Sequence, residues 1–259
     1  MSHDNRPSRP LELAPQIANP CQACAIRVHS VCGALEPAEL NRLAAITTQT
    51  EAEPRETIFI EGDPADYLFV VTGGGVRMYK LLPDGRRQIT GFIFTGDFLG
   101  LALYDNYAYS AEAMTKLQLC RFPRRKLEKL LDEFPKLERR LLKTASNELA
   151  AAQDQMLLLG RKTAREKIAT FLLSLSERAI RRGERGDVIA LPMSREDIGD
   201  YLGLAIETVS RTFTRFKKLG VVYHSNPREA KILDRETLQD IAGMAEDMSL
   251  TATAAFRRR

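Results

Sequence analysis

The chain is poor in the residues that build most catalytic and metal centres: its 259 residues include only 4 Cys and 3 His. So few cysteines exclude a disulfide-dense secreted scaffold. No uninterrupted apolar run approaches the roughly 18–20 residues of a membrane span, so no membrane partner is expected. The Pro- and Arg-containing start lacks an apolar segment, which argues against a secretory signal and for a cytoplasmic protein with reduced thiols. No nucleophile stands beside a plausible base, and neither a Walker loop nor a zincin motif occurs, so an enzyme is not expected.

What charge there is lies unevenly. The net charge is +4, yet residues 161–220 hold thirteen Lys and Arg against eight Asp and Glu, so the remainder is close to neutral. A basic segment in a near-neutral chain points to a local nucleic-acid surface, against the plainer reading of a solvated helix face.

Three cysteines crowd one stretch, Cys21, Cys24 and Cys32, and Cys120 stands alone downstream. Structural zinc usually takes two pairs, and the second pair is missing. A three-plus-one set of thiolates suits a [4Fe–4S] cluster, which takes one cysteine per iron. The alternative is that Cys120 is only a small buried hydrophobe. The segment Asn19–Cys32 opens with Pro20 and reads as a ligand loop, pinned to the body only through Cys120.

After this arm (1–35), the pattern is α+β. Residues 36–123 alternate as short strands, Thr57–Ile60, Tyr67–Thr72, Gly75–Lys80, Arg87–Phe94 and Leu117–Phe122, separated by turns such as Pro83-Asp84-Gly85. Near-regular short strands imply a jelly roll or barrel, preceded by a short helix from Leu35 to Ala45. Over 124–160 the period becomes helical, and Pro135 should start a new helix. There Leu142, Ala145, Leu149, Ala152, Met156 and Leu159 recur at steps of three and four, the seam of a two-stranded homodimer, with internal packing as the alternative. Asp154 lies beside the seam, where a matching carboxylate from a partner would repel it.

The strongest motif lies in 161–235. After a helix Thr163–Ile180 and an expected hairpin over Gly183–Leu191, Ser194 and Asp197 form a capping box. The helix they open ends at Leu202-Gly203, and a second runs from Ala205 or Ile206 to Leu219-Gly220: a helix-turn-helix. Val209, Phe213 and Phe216 share the face expected to be buried, and Glu207, Ser210, Arg211, Thr214 and Lys218 share the outer one. Arg211 can donate twice to guanine, Glu207 can accept from cytosine, and Ser210 is small enough to sit beside a thymine methyl. Thr208, Thr212, Arg215 and Lys217 suit phosphates. Strands on either side of Asn226-Pro227 make a β wing, and residues 236–259 read as a C-terminal helix and basic tail ending Ala255–Arg259.

The run Asp197–Leu204 followed by Glu207-Thr208-Val209-Ser210-Arg211 resembles the winged helix of the CRP/FNR superfamily, FNR branch, and the order of arm, roll, long helix and DNA-binding domain is similar along nearly the whole chain. The resemblance implies that Glu207, Ser210 and Arg211 read a TTGAT-type half-site, with Ile206 standing where cyclic-AMP receptors carry an arginine. It implies that Cys21, Cys24, Cys32 and Cys120 hold an oxygen-labile [4Fe–4S] cluster. It further implies dimeric binding to palindromic double-stranded DNA and contact with RNA polymerase, for which the aromatics Tyr104, Tyr107 and Tyr109 are candidates, mainly activating genes used at low oxygen. Leu101 and Tyr109 replace the glutamate and arginine with which cyclic-nucleotide binders hold ribose and phosphate, so no cyclic nucleotide is expected. Two other readings stay open: a cluster-free thiol switch using Cys21 and Cys24, and a haem sensor using His29 or His3.

Overall fold

The computed structural model describes residues 12–13, 21–101 and 105–243, and the chain divides into two units, Met1–Asp154 and Gln155–Arg259. In the first unit, β1 (Glu12–Leu13) precedes two 3₁₀ turns, Arg27–His29 and Val31–Ala34. Then come α1 (Pro37–Ala44), β2 (Thr48–Ala52), β3 (Thr57–Phe59), β4 (Tyr67–Gly73), β5 (Gly75–Leu81) and β6 (Arg87–Phe94). β7 (Phe98–Leu99), β8 (Ser110–Ala113) and β9 (Leu117–Pro123) complete two antiparallel sheets, ordered β1-β2-β9-β4-β7 and β3-β8-β5-β6. This is the expected β-roll. All five strands read from the sequence are present.

Alternation explains why the roll has two apolar sides. On β4 and β9, Phe69, Val71, Leu117 and Leu119 point into the roll with Phe59, Val76 and Ile93. Their neighbours Leu68, Val70, Cys120 and Phe122 face the other way, into a second apolar cluster with Leu40 and Leu43 of α1. The turn from β4 to β5 needs glycine at Gly74, whose φ is +88° and where a Cβ would collide with the Lys116 carbonyl.

Two helices follow without a break in the pattern. α2 (Arg124–Glu133) ends at Phe134, and Pro135 opens α3 (Pro135–Arg161), as its fixed φ and missing N–H allow. The first turns of α3 are anchored, since Leu137 is buried in the second apolar cluster and Leu141 packs on it. Farther along, Leu142, Leu149 and Met156 are 66%, 63% and 71% exposed, an apolar stripe at heptad spacing that the described residues leave uncovered. Asp154 is exposed beside it.

The second unit contains α4 (Ala164–Arg181), capped by a Thr163–Glu166 box, β10 (Val188–Ala190), α5 (Arg195–Leu202) and α6 (Ile206–Lys218). β11 (Val222–Tyr223), β12 (Glu229–Ile232) and α7 (Arg235–Ile241) follow. The hairpin expected over Gly183–Leu191 does not form. Residues after α4 turn at Gly183, and the single strand β10 pairs with β12, so the wing is a three-stranded sheet ordered β10-β12-β11. The arm is also more regular than a plain loop, because its two 3₁₀ turns close through Arg27 N–H to Cys24 O and Leu35 N–H to Cys32 O. Among the described residues no helix is long and apolar enough to cross a membrane. His3, Tyr104 and the tail Ala255–Arg259 lie outside the described residues.

Candidate metal centre and nucleic-acid interface

The four cysteines come from opposite ends of the first unit's sequence. Cys120 sits on β9, whose central place between β2 and β4 pairs it with Gln49 on one side and Val70 on the other. Cys21, Cys24 and Cys32 come from the arm, folded over the same face of the sheet: Cys21 is buried, and Cys32 and Cys120 pack on the same apolar cluster. Local hydrogen bonds shape the arm. Ser30 Oγ donates to the Arg27 carbonyl at 3.0 Å and accepts from Cys32 N–H at 3.3 Å, and Gln22 Nε2 donates to Asn41 of α1 at 3.3 Å.

The thiols lie within electrostatic reach of one another. Burial, and then the neighbouring Cys21, Cys32 and Cys24, push the Cys120 thiol up to about 12. Burial pushes Cys32 up to about 11, against a favourable hydrogen bond from Ser30, and raises Cys21, which bonds Thr47. Among the described residues, no three His, Cys, Asp or Glu side chains stand close enough to hold a single metal ion. Cys21, Cys32 and Cys120 share one apolar cluster, and Cys24 lies within electrostatic reach of all three. Four thiolates are the donor chemistry of a mononuclear Cys₄ site and of a [4Fe–4S] cluster with one thiolate per iron alike. His29, the haem candidate among the described residues, is exposed.

The roll's interior bears on the nucleotide expectation. Tyr109 packs against the core with its hydroxyl accepting from Gly100 N–H at 3.3 Å, and Phe59 stacks on Tyr107 at 3.7 Å between ring centroids. Tyr107 is buried and donates to the Tyr67 carbonyl at 2.7 Å. These two rings thus serve the roll's own packing, the alternative to their being exposed contacts for polymerase. Leu101, at the other departed position, packs on the cysteine-bearing cluster.

In the second unit the reading face is assembled by a short chain of causes. Ser194 Oγ accepts from Asp197 N–H at 3.0 Å while the Asp197 carboxylate accepts from Ser194 N–H at 2.9 Å, which starts α5. Gly203 ends it in the left-handed region at φ +63°, and at Gly199 a Cβ would come within 2.6 Å of the Leu204 carbonyl, so the turn closes tightly on α5. Buried Lys167 donates to the Leu202 carbonyl at 3.1 Å, fixing the same turn from below. Val209, Phe213 and Phe216 then seat α6 in the core.

The opposite face of α6 is free. Ser210, Arg211, Thr214, Arg215 and Lys218 line a shallow open groove, and Glu207 is exposed at the helix start. Thr208 is half-buried, and Thr212 corrects its assignment to phosphate contact. It falls on the inner face, is 7% exposed, and spends its hydroxyl on the Thr208 carbonyl at 2.8 Å. Sequence reasoning also missed Arg195, whose guanidinium lies 3.3 Å over the Phe213 ring and whose burial lowers its pKa to about 10. The available signal is an arginine in the first turn of a helix, where the dipole disfavours a cation and another reason for its presence is needed.

Comparison with known proteins agrees with this fold. Residues 49–134 match the cyclic nucleotide-binding domain family and residues 166–241 the Crp-like helix-turn-helix domain family. The nitrogen fixation regulation protein FixK of Bradyrhizobium diazoefficiens is 45% identical over 202 residues, covering 78% of this chain and 85% of the relative. The transcriptional activator protein FnrL of Cereibacter sphaeroides is 35% identical over 244 residues, covering 93% of this chain and 98% of the relative. The solved structure of FixK2 from Bradyrhizobium japonicum matches with a TM-score of 0.73 at 40% identity, covering 78% of this chain and 100% of that one. With both domains matched in order and relatives of this kind over most of its length, the chain belongs to the CRP/FNR family of transcription regulators, on its FNR branch.

Proposed function

We propose that this regulator is an oxygen-responsive activator in which Cys21, Cys24, Cys32 and Cys120 hold a [4Fe–4S] cluster, and that it binds TTGAT-type palindromes as a homodimer at low oxygen. The observation that carries this is that Cys21 and Cys32 of the arm share one apolar cluster with Cys120 of β9, with Cys24 close enough to raise the Cys120 thiol.

When bound, the cluster supplies an oxygen-reactive iron–sulfur core tied to four thiolates. The remaining steps belong to the chain. From Cys21 to Leu35 the regular structure of the arm is two short 3₁₀ turns, so its order depends on its anchors, and ligand binding is also folding energy. Leu137 and Leu141 at the start of α3 share the apolar cluster with Cys21, Cys32 and Cys120. Order in the arm therefore reaches the first turns of the pairing helix. With α3 paired through Leu142, Ala145, Leu149, Ala152, Met156 and Leu159, two copies of α6 face major grooves about one DNA turn apart. Glu207, Ser210 and Arg211 then read base edges, and Arg215 and Lys217 hold phosphate. Asp154 beside the seam adds like-charge repulsion between partners, which keeps the dimer marginal when the arm is loose. The reading places the protein in the cytoplasm, with RNA polymerase as its partner at promoters. It assigns the roll no cyclic nucleotide, because Leu101 and Tyr109 offer neither carboxylate nor guanidinium.

A cluster-free thiol switch is the second reading. It would use Cys21 and Cys24, and burial raises Cys21, which favours it less, since a reactive thiol needs a lowered pKa. The deciding experiment is anaerobic purification with iron and sulfide counts and a visible spectrum, then admission of air and a gel shift on a TTGAT palindrome. About four irons per chain, a brown colour bleached by air, and DNA binding lost with it are expected. A colourless protein that binds the palindrome equally in both atmospheres would overturn the proposal and leave the DNA-binding half standing.

A further inference from the structure

α5 ends on carbonyls that are met by donors from outside the helix-turn-helix. An α-helix cannot satisfy its own final C=O groups. The Gly199 carbonyl accepts from the N–H groups of Gly203 and Leu204, within the turn itself. The next two accepting carbonyls depend on side chains: Gln155 Nε2 donates to Tyr201 O at 2.8 Å, and Lys167 Nζ donates to Leu202 O at 3.1 Å. The Lys167 charge also suits the negative end of the helix dipole. Lys167 belongs to α4, whereas Gln155 belongs to α3, whose last residues from Gln155 onward are part of the second unit. One turn farther along α3, Leu159 Cδ2 lies 3.6 Å from where a Cβ on Gly203 would stand. Met156, the chain neighbour of Gln155 and a seam position, is 71% exposed.

We infer that Gln155 is a positioning residue for base reading: with Lys167 it clamps the turn between α5 and α6, and it ties that turn to the end of the pairing helix. α5 has only 8 residues, too short to hold its own end without tertiary support. α6 starts at Ile206, just past the turn, and Glu207, Ser210 and Arg211 lie in its first two turns. A shift of the turn therefore passes directly to the reading side chains, whose hydrogen bonds to base edges weaken steeply off geometry. Phosphate contacts carry no sequence information and lose less, so the clamp acts on discrimination more than on overall attraction. Gln155 meets the Tyr201 carbonyl only while α3 stays helical to that point, and pairing through Met156 favours that same conformation. This consequence deepens the proposed function and rests on its pairing seam; the clamp itself does not.

The test uses the anaerobically purified full chain and reads the ratio of its affinity for a TTGAT palindrome to its affinity for unrelated DNA of equal length at one salt concentration. Gln155→Met keeps the length and helix propensity of the side chain but removes the donor. It should lower the ratio about three- to tenfold, the worth of one hydrogen bond, almost wholly through the palindrome. The dimer dissociation constant and the helix content should stay as in the wild type. Gln155→Lys returns a donor and should restore most of the ratio, which a mere loss of side-chain packing would not allow. An unchanged ratio in Gln155→Met, an equal loss in Gln155→Lys, or a loss that follows a weakened dimer would each overturn the inference. A monomeric or colourless wild type in which Gln155→Met still lowers the ratio would sink the pairing or the cluster of the proposed function and leave the clamp in place.

Discussion

Leu149→Ala isolates the pairing seam. Leu149 is 63% exposed, so the protomer's own fold gains little from it, and alanine is if anything the better helix former. Burying a leucine fully is worth about 1.5–3 kcal/mol, and nearly two thirds of that remains available to a partner, or about 1–2 kcal/mol per protomer. Two-fold symmetry counts the loss twice, giving about 2–4 kcal/mol. At about 1.4 kcal/mol per tenfold, the dimer dissociation constant should rise roughly 30- to 700-fold. Sedimentation equilibrium of the anaerobic protein reads that constant, and circular dichroism verifies that helix content is unchanged. Leu157→Ala is the control: Leu157 is 65% exposed but lies off the heptad positions, so its loss should leave pairing intact. An unchanged constant for Leu149→Ala, or equal weakening in both variants, would refute the seam.

On DNA, Arg211→Ala should cost about 1–3 kcal/mol and relax the preference at one base pair. Arg215→Ala should weaken all sequences alike and reduce the salt dependence of binding by about one ion, and gel shifts across a salt series that reverse these patterns would exchange the two roles. Ser194→Ala removes the acceptor of Asp197 N–H and should lower the stability of the DNA-binding unit by about 1 kcal/mol in urea unfolding, an effect that Ser194→Thr restores. Burial pushes Tyr107 and Tyr109 up to about 12 from a usual 10. As acids held neutral in the fold, they are shed first by the unfolded chain, so stability should be flat below about pH 10 and fall between about pH 10 and 12. A Tyr107→Phe, Tyr109→Phe double variant should show a shallower fall, and the same slope in both proteins would refute the assignment.

Much of the molecule was legible where one physical rule dominates. The long strands Tyr67–Gly73 and Arg87–Phe94 announce themselves by apolar β-branched and aromatic content, and Pro135 marks the start of the long helix because the ring tolerates that position and few others. β2 reads Thr-Gln-Thr-Glu-Ala and β8 reads Ser-Ala-Glu-Ala, with no apolar alternation to betray them. They are strands because their neighbours supply ladders, a tertiary cause invisible locally. The missing hairpin at Gly183–Leu191 fails for the same reason, since β10 takes its partner from β12, about forty residues on. Thr212 was misplaced by chemistry overriding period: a hydroxyl in a basic helix suggests phosphate, but its position beside Val209, Phe213 and Phe216 turns it inward. Arg195 was passed over because a buried guanidinium stacked on Phe213 needs the turn between two helices to exist first.

The division of α6 into Val209, Phe213 and Phe216 on one side and Glu207, Ser210 and Arg211 on the other has an evolutionary consequence. Folding and operator choice are written on interleaved positions of one helix that scarcely share a residue. Exchanging an outer side chain therefore changes which promoters are bound at little cost to the stability of the unit that carries it. A lineage can rewire its regulon through this helix one substitution at a time, while the β-roll and the arm stay as they are.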